Sequence, residues 1–238
     1  MTGPVPADLA GWRKERRREL LARREAIPLE ERRAGDARIG ELLLAGFPML
    51  AEMTIGFYWP IRGEVDPRVA LHRLRQRGAR TALPVVVAKG QPLEFREWRP
   101  ETPTKPGPMG LPIPQGSEVL LPDAVLAPPV GFGSCGYRLG YGAGFFDRTL
   151  AAANPRPLAL GLAREASRVE TIYPQPWDIP MDFILTEEGI HLAGGQPLRR
   201  LDDVAEAADL ARAIVATRRR GGRIPTSDRE APLRNVDG

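Results

Sequence analysis

The chain has 238 residues, enough to bury a substantial core, and its composition of 42% hydrophobic and 27% charged residues is typical of soluble globular proteins. The net charge is +4, but six basic and three acidic residues lie from Arg218 onward, so the remaining body is nearly neutral. This distribution argues against a nucleic-acid-binding surface on the main part of the chain.

Cysteine and histidine are too scarce for several kinds of site. The single cysteine, Cys135, excludes a disulfide framework and a cysteine-rich zinc site. The two histidines, His72 and His191, are far apart in the sequence, which argues against a histidine metal site or a catalytic triad. No segment has the pattern of a secretory leader or reaches membrane-spanning length, so we predict a cytoplasmic protein that binds no membrane.

The hydrophobic pattern predicts two helices at the start of the chain and alternating strands and helices after them. Pro28 separates the first two helices and suits the first turn of the second. Strands that alternate with helices predict an α/β fold, a three-layer sandwich with a largely parallel central sheet flanked by helices. The predicted helices are 7–26, 29–46, 66–77 and 144–153, and the predicted strands are 54–59, 82–87, 93–98, 119–127, 158–163 and 183–186.

Two further stretches differ in composition from the rest of the chain. Six prolines between Pro100 and Pro114 predict a long loop, which is either a lid over a site or a plain surface connection. After residue 195 an alanine-rich pattern predicts a helix at about 199–220, and the polar stretch beyond it predicts a disordered basic tail. We therefore predict a main domain at 1–195 and a C-terminal helical extension at 196–238.

The most informative segment is 136–148, which contains four glycines, two arginines and an aspartate. Glycines at positions 140, 142 and 144 leave successive backbone N–H groups free to point into one concavity, and a helix after them adds its positive end. This pattern predicts an anion cradle that suits phosphate. A glycine-rich surface turn is the alternative, and neither the P-loop pattern nor the dinucleotide-binding fingerprint is present.

Residues 138–148 closely resemble the signature of the 5-formyltetrahydrofolate cyclo-ligase family, and further blocks follow the family's order over about residues 10–192. Four residues depart from the family pattern, namely Ala143, Phe145, Phe146 and Trp177. The two phenylalanines keep a stacking face but lose the hydroxyl groups of the family's tyrosines. The other matching blocks are Lys14 with Arg18, Glu64-Val65-Asp66 after Tyr58 and Pro60, Gly110 to Pro114, and Pro176-Trp177-Asp178 to Asp182.

The resemblance implies an enzyme that uses ATP and Mg²⁺ to convert 5-formyltetrahydrofolate to 5,10-methenyltetrahydrofolate. Because the formamide oxygen is a poor leaving group, its phosphorylation would precede attack by N10 and loss of phosphate. The protein would align the γ-phosphate with the formyl oxygen and neutralise the developing charge. We expect a monomer that binds this small-molecule substrate, with or without a polyglutamate chain, and binds no nucleic acid.

The resemblance also implies roles for individual residues. The expected catalytic residues are Arg138, Lys14 and Glu64. Arg138 and Lys14 would contact phosphate, and Glu64 would orient the pterin or N10 side of the folate. Asp147 and Asp178 are the expected magnesium ligands, since Mg²⁺ needs one or two carboxylates beside a triphosphate. The residues expected to bind the nucleotide are Lys14, Arg18, Arg138, Gly140, Tyr141, Gly142, Ala143, Gly144, Phe145 and Phe146.

Less specific roles stay open for several candidates. Most basic residues of the first helix must simply be solvated, and Asp147 could serve only as a helix cap. Asp182 could hold the turn into the following strand, and Trp98 could belong to the core rather than stack on a ligand. The rival functions are a non-catalytic folate- or nucleotide-binding paralogue and a nucleic-acid-associated protein.

Overall fold

Helices and strands alternate along most of the chain in the computed structural model, which describes residues 4–221. Within this range, no helix has the length and apolar character needed to span a membrane. The helices are α1 (Leu9–Ala26), α2 (Leu29–Gly46), α3 (Arg68–Gln76), α4 (Phe145–Ala152) and α5 (Val204–Arg219). The strands are β1 (Thr54–Gly56), β2 (Arg80–Val85), β3 (Glu94–Glu97), β4 (Thr104–Pro106), β5 (Pro112–Pro114), β6 (Val119–Leu120), β7 (Ala124–Ala127), β8 (Gly131–Phe132), β9 (Arg138–Leu139), β10 (Leu158–Leu162), β11 (Phe183–Thr186), β12 (Gly189–Leu192) and β13 (Arg199–Leu201).

Nine of the described strands form one sheet in the order β13-β12-β11-β10-β7-β1-β2-β3-β6. The middle strands, from β11 to β2, run parallel, whereas the strand pairs at both edges are antiparallel. Parallel neighbours need a crossover connection, which α3 supplies between β1 and β2 and α4 supplies between β7 and β10. The predicted α/β class is confirmed, with the parallel part confined to the middle of the sheet.

Side chains of the buried strands point alternately to two helical layers. Ala124 and Leu126 of β7 belong to the large core cluster that includes α2, α3 and α5. Val125 and Ala127 belong to a second cluster on the side of the sheet covered by α4. A third, smaller cluster contains Leu20 and packs α1 against the β8–β9 hairpin. This packing brings α1 close to the residues that follow β9.

Two predicted elements in the middle of the chain are divided differently in the structure. The predicted strand 119–127 is wrong as one element, because the chain is interrupted at Leu121 and Pro122 and forms β6 and β7. The predicted loop at 100–114 is also wrong in part, since β4 and β5 pair within it as a two-stranded hairpin. Prolines are tolerated there because each strand of a two-stranded sheet is an edge strand.

The C-terminal part of the described chain extends the sheet before its helix begins. The predicted helix at 199–220 is wrong at its start, because residues 199–201 form β13 at the sheet edge. α5 begins after Asp203, whose side chain accepts a hydrogen bond from the Ala205 amide at 2.9 Å, and it buries three alanines. The predicted disordered tail lies outside the described residues, and the domain division at residue 195 stays a prediction.

Candidate active site

A cavity of about 370 Å³ opens where α1, the loop before α4 and the segment 176–179 meet. Most of the phosphate and metal ligands expected from the sequence lie in its walls. The predicted residues that line it are Arg138, Gly140, Gly142, Ala143, Gly144, Asp147 and Asp178. The predicted residues that do not line it are Lys14, Arg18, Glu64, Tyr141, Phe145 and Phe146.

The glycine loop, residues 140–144, connects β9 to α4. Gly142 and Gly144 have φ angles of 105° and 66°, in the left-handed region that glycine adopts without strain, and Gly144 is the N-cap of α4. Within residues 4–221, no group accepts a hydrogen bond from the five backbone amides of this loop. These amides and the first turn of α4 can therefore bind an anion by hydrogen bonds.

Two arginines of α1 reach the cavity. Arg17 Nε donates to the carbonyl oxygen of Gly140 at 2.7 Å, and Arg13 Nη2 lies 2.5 Å from Asp178 Oδ2. Burial, and then the charge of Arg13, lower the pKa of Arg17. Two neighbouring positive charges on one wall favour an anion between them.

The expected pair Lys14 and Arg18 lies on the outer side of α1. Each follows a cavity arginine by one position, which turns it by about 100° around the helix. Both residues are exposed, and Arg18 forms an ion pair with Glu15. A phosphate contact by Lys14 and Arg18 stays a prediction that this placement does not favour. The inward side was visible in the sequence, because Leu20 and Leu21 follow Arg17 at helical spacing.

Arg138 pairs with one of the two acidic residues of the cavity, Asp147, and is only 6% exposed. Its Nη2 lies 3.0 Å from Asp147 Oδ2, and its Nη1 donates to the Ile179 carbonyl oxygen at 3.2 Å. The Ile179 amide donates to Asp147 Oδ1 at 3.0 Å. Burial lowers the pKa of Arg138, while the charges of Asp147 and Asp178 oppose that decrease. The two carboxylates thus share one cavity, and each is paired with an arginine.

The donor set of the cavity fits a magnesium ion that is held jointly with phosphate. Mg²⁺ commonly takes one or two carboxylates, with water and phosphate oxygens completing its shell. Asp147 and Asp178 supply two carboxylates. In the described part of the chain, no group of three or more histidine, cysteine or acidic residues is arranged to hold a metal by itself. The arginines and the glycine-loop amides, in turn, fit the phosphates of a nucleotide.

Glu64 lies outside the cavity, in a buried polar network behind Tyr141. The Tyr141 hydroxyl donates to Glu64 Oε1 at 2.8 Å and accepts a hydrogen bond from Arg24 Nη2 at 2.7 Å. The Ile61 amide donates to Glu64 Oε2 at 2.9 Å. Burial raises the pKa of Glu64, and these hydrogen bonds and the Arg24 charge oppose the increase. Burial, and then the Glu64 charge, raise the pKa of Tyr141. Arg24 is a residue that the sequence reasoning missed.

The predicted aromatic residues divide between core and surface. Phe146 packs against the core cluster on the α4 side, and the Arg138 guanidinium lies 5.7 Å from its ring centroid. Trp98 is buried within a cluster of aromatic rings, as expected for a core residue. Phe145 is half-buried at the start of α4, whereas Trp177 is 67% exposed in the cavity wall.

This arrangement defines an α/β protein with a site suited to a phosphorylated ligand and a divalent cation. The model of the 5-formyltetrahydrofolate cyclo-ligase family matches residues 10–187. The 5-formyltetrahydrofolate cyclo-ligase of Mycolicibacterium smegmatis is 31% identical over 181 residues, which cover 71% of this chain and 91% of that protein. The chain belongs to the 5-formyltetrahydrofolate cyclo-ligase family.

Two solved structures share the fold. The 5,10-methenyltetrahydrofolate synthetase of Mycoplasma pneumoniae has 25% sequence identity and a TM-score of 0.62, covering 74% of this chain and 98% of that one. The 5,10-methenyltetrahydrofolate synthetase of Aquifex aeolicus has 28% identity and a TM-score of 0.65, covering 80% of this chain and 93% of that one. The family match ends before β12, so α5 lies beyond it.

Proposed function

We propose that the chain uses ATP and Mg²⁺ to convert 5-formyltetrahydrofolate to 5,10-methenyltetrahydrofolate, with the ATP phosphates held in the cavity beside the glycine loop. Family membership gives the enzyme class, a 5-formyltetrahydrofolate cyclo-ligase. One observation supports the phosphate site: free backbone amides, four arginines and two carboxylates meet in a single cavity.

Phosphate binding would change the partners of the cavity arginines. Arg13 and Arg138 each pair with an aspartate in the structure. A triphosphate offers these guanidinium groups a more highly charged partner, which frees Asp178 and Asp147 to ligate Mg²⁺. Arg17 donates to a carbonyl oxygen rather than to a carboxylate. It can therefore exchange this partner for an anion at a smaller cost in free energy.

The chemistry requires activation of the formyl oxygen before the ring can close. ATP supplies the phosphoryl group that makes this oxygen a leaving group, so that N10 can attack the formyl carbon. The chain holds the reacting groups together and neutralises charge in the transition state. Arg138 is suited to this task because its charge is buried and poorly screened by water.

For the folate we propose the side of the glycine loop that carries Tyr141 and Glu64. The Tyr141 side chain is 40% exposed, so its ring can stack on the pterin. Glu64 is buried and accepts the Tyr141 hydroxyl hydrogen bond, so in this proposal it acts on the folate side by orienting the Tyr141 ring. A polyglutamylated substrate, a monomeric enzyme and a cytoplasmic location are further expectations of this proposal.

The experiment that tests the proposal follows the near-UV absorbance of the methenyl product. The purified full-length chain is mixed with 5-formyltetrahydrofolate, ATP and Mg²⁺, with controls that lack ATP or contain EDTA. The proposal predicts an absorbance increase that requires both ATP and Mg²⁺. Ligand binding without any product would contradict it and would support the non-catalytic paralogue instead.

A further inference from the structure

A buried carboxylate outside the cavity is held by two arginines. Asp182 is 3% exposed and does not line the cavity. Arg156 Nη2 donates to Asp182 Oδ1 at 2.7 Å, and the Ala159 amide donates to Oδ2 at 2.8 Å. Arg218 of α5 donates to both oxygens, at 2.6 Å and 2.8 Å. Arg218 therefore supplies half of the four hydrogen bonds that these residues donate to the carboxylate.

The segment 178–182 connects Asp182 directly to the cavity. At its first end lies Asp178, followed by Ile179, whose amide orients Asp147 and whose carbonyl oxygen accepts a hydrogen bond from Arg138. In the middle, the Pro180 carbonyl oxygen accepts a hydrogen bond from Arg156 at 3.3 Å. Both proposed magnesium ligands thus depend on the position of one short segment.

The C-terminal helix holds the Asp182 side chain at the far end of this segment, and the Asp182 backbone is hydrogen-bonded to Ala159 and Ala193. The Arg218 guanidinium forms a bidentate ion pair with Asp182 and also donates to the Pro157 carbonyl oxygen at 2.8 Å. Arg218 is largely buried, with 11% side-chain exposure, so this pair is little screened by solvent. Loss of the fork would leave Asp182 with Arg156 and one amide, which loosens the anchor without leaving an unpaired charge.

We propose that Arg218 is a positioning residue for the phosphate and magnesium site, acting through Asp182 and the segment 178–182. The inference rests on the proposed function, because it assumes that Asp147 and Asp178 hold Mg²⁺ beside ATP. It goes beyond the family resemblance, since Arg218 lies outside the matched residues 10–187. α5 then belongs to the catalytic unit rather than to a separate appendage.

A purely structural role for Arg218 would affect both substrates alike, whereas a positioning role would not. The segment 178–182 contacts the phosphate side of the site. The folate side, with Glu64 and Tyr141, is held instead by Arg24 of α1. The inference therefore predicts weaker binding of Mg²⁺ and ATP, with an unchanged KM for 5-formyltetrahydrofolate.

The test compares Arg218→Gln with Arg219→Gln in the full-length chain. Arg219 is the matched control, because it is the next residue of α5 and pairs with Asp123 at the surface. Calorimetric titration with Mg²⁺ and a non-hydrolysable ATP analogue should show about tenfold weaker binding for Arg218→Gln, the loss typical of a residue that supports a metal ligand. Arg219→Gln should bind like the wild type.

Hydrogen exchange provides a readout that does not depend on activity. The amides of Ile179 and Met181 donate to Asp147 and Gly136, so they should exchange faster in Arg218→Gln than in the control. If Arg218→Gln also lowers the midpoint of thermal unfolding, Arg218→Lys serves as a second variant that separates a loss of affinity from a loss of stability. Lysine keeps the charge but loses the fork, so its affinity for the analogue should lie between those of the wild type and Arg218→Gln.

The outcomes separate this inference from the proposed function. Equal affinities in Arg218→Gln and Arg219→Gln, with normal binding by the wild type, overturn the inference alone. A parallel increase in the KM values for ATP and folate also overturns it, because that result indicates a general structural defect. A wild-type chain that does not bind the analogue overturns both proposals.

Discussion

The buried Arg24 network leads to a prediction whose magnitude follows from the structure. Arg24 is 3% exposed and donates to the Arg62 carbonyl, the Pro129 carbonyl and the Tyr141 hydroxyl at 2.9, 3.2 and 2.7 Å. Its Nη2 also lies 3.8 Å from Glu64 Oε1. Arg24→Met keeps the apolar stem but leaves a buried carboxylate without its cation. Removing one partner of such a pair costs about 3–5 kcal/mol of unfolding free energy.

Ionisation of Glu64 gives this loss a characteristic pH dependence. Burial raises the pKa of Glu64 above its usual value of 4.5, and the Arg24 charge opposes the increase. The folded chain then binds this proton more tightly than the unfolded chain, so the contribution of Glu64 to stability is highest at low pH and decreases as the pH rises through its folded pKa. Without Arg24 the folded pKa rises further. The destabilisation by Arg24→Met should therefore be largest near neutral pH and shrink as the pH falls toward 4.5.

Urea unfolding at several pH values, followed by tryptophan fluorescence, measures this effect. The exposed neighbour Arg23 gives the control Arg23→Met, which should stay within about 0.5 kcal/mol of the wild type. Adding Glu64→Gln to Arg24→Met should remove the pH dependence of the difference. Equal losses for the two methionine variants, or a loss for Arg24→Met that is constant with pH, would refute the reasoning.

Three substitutions test the cavity itself. Asp147→Asn should lower turnover at limiting Mg²⁺ by at least about tenfold, while the amide oxygen can still accept the hydrogen bond from the Ile179 amide; wild-type turnover would remove Asp147 from the metal site. Arg138→Lys should raise the KM for ATP by about tenfold, equivalent to one lost charge-assisted hydrogen bond, and an unchanged KM would contradict the proposed contact of Arg138 with phosphate. Arg17→Gln should weaken ATP binding by a similar factor, whereas Arg18→Gln, on the exposed side of α1, should stay within about twofold; the opposite ranking would restore Arg18 as the phosphate ligand.

The sequence was sufficient to predict the long and strongly patterned elements. The helix at 29–46 and the strand at 183–186 have the predicted bounds, because Pro28 marks the start of the first and a short apolar run defines the second. β8 and β9 were missed because each has two residues, too few to show alternation. β12 and β13 were missed as well, since their edge positions depend on pairing with β11 rather than on local preference.

The candidate site was predictable where its residues are adjacent in the chain. The glycine loop and Asp147 follow one another, so their meeting in one cavity follows from local geometry. The expected pair Lys14 and Arg18 lies one position from the cavity arginines of α1, because every side of that helix is rich in basic residues and the spacing of Leu20 and Leu21, rather than charge, marks the inward side. The contact of Arg218 with Asp182 joins residues far apart in sequence, and no local pattern indicates it.

The most direct test of the phosphate site is a crystal structure of the chain with Mg²⁺ and a non-hydrolysable ATP analogue. We expect the phosphates at the amides of the glycine loop, in contact with Arg13, Arg17 or Arg138, and the ion at Asp147 and Asp178. A larger cavity of about 630 Å³ lies at the other end of α4, beside Arg219. Phosphates bound there, or a glycine loop left empty by the analogue, would contradict the account.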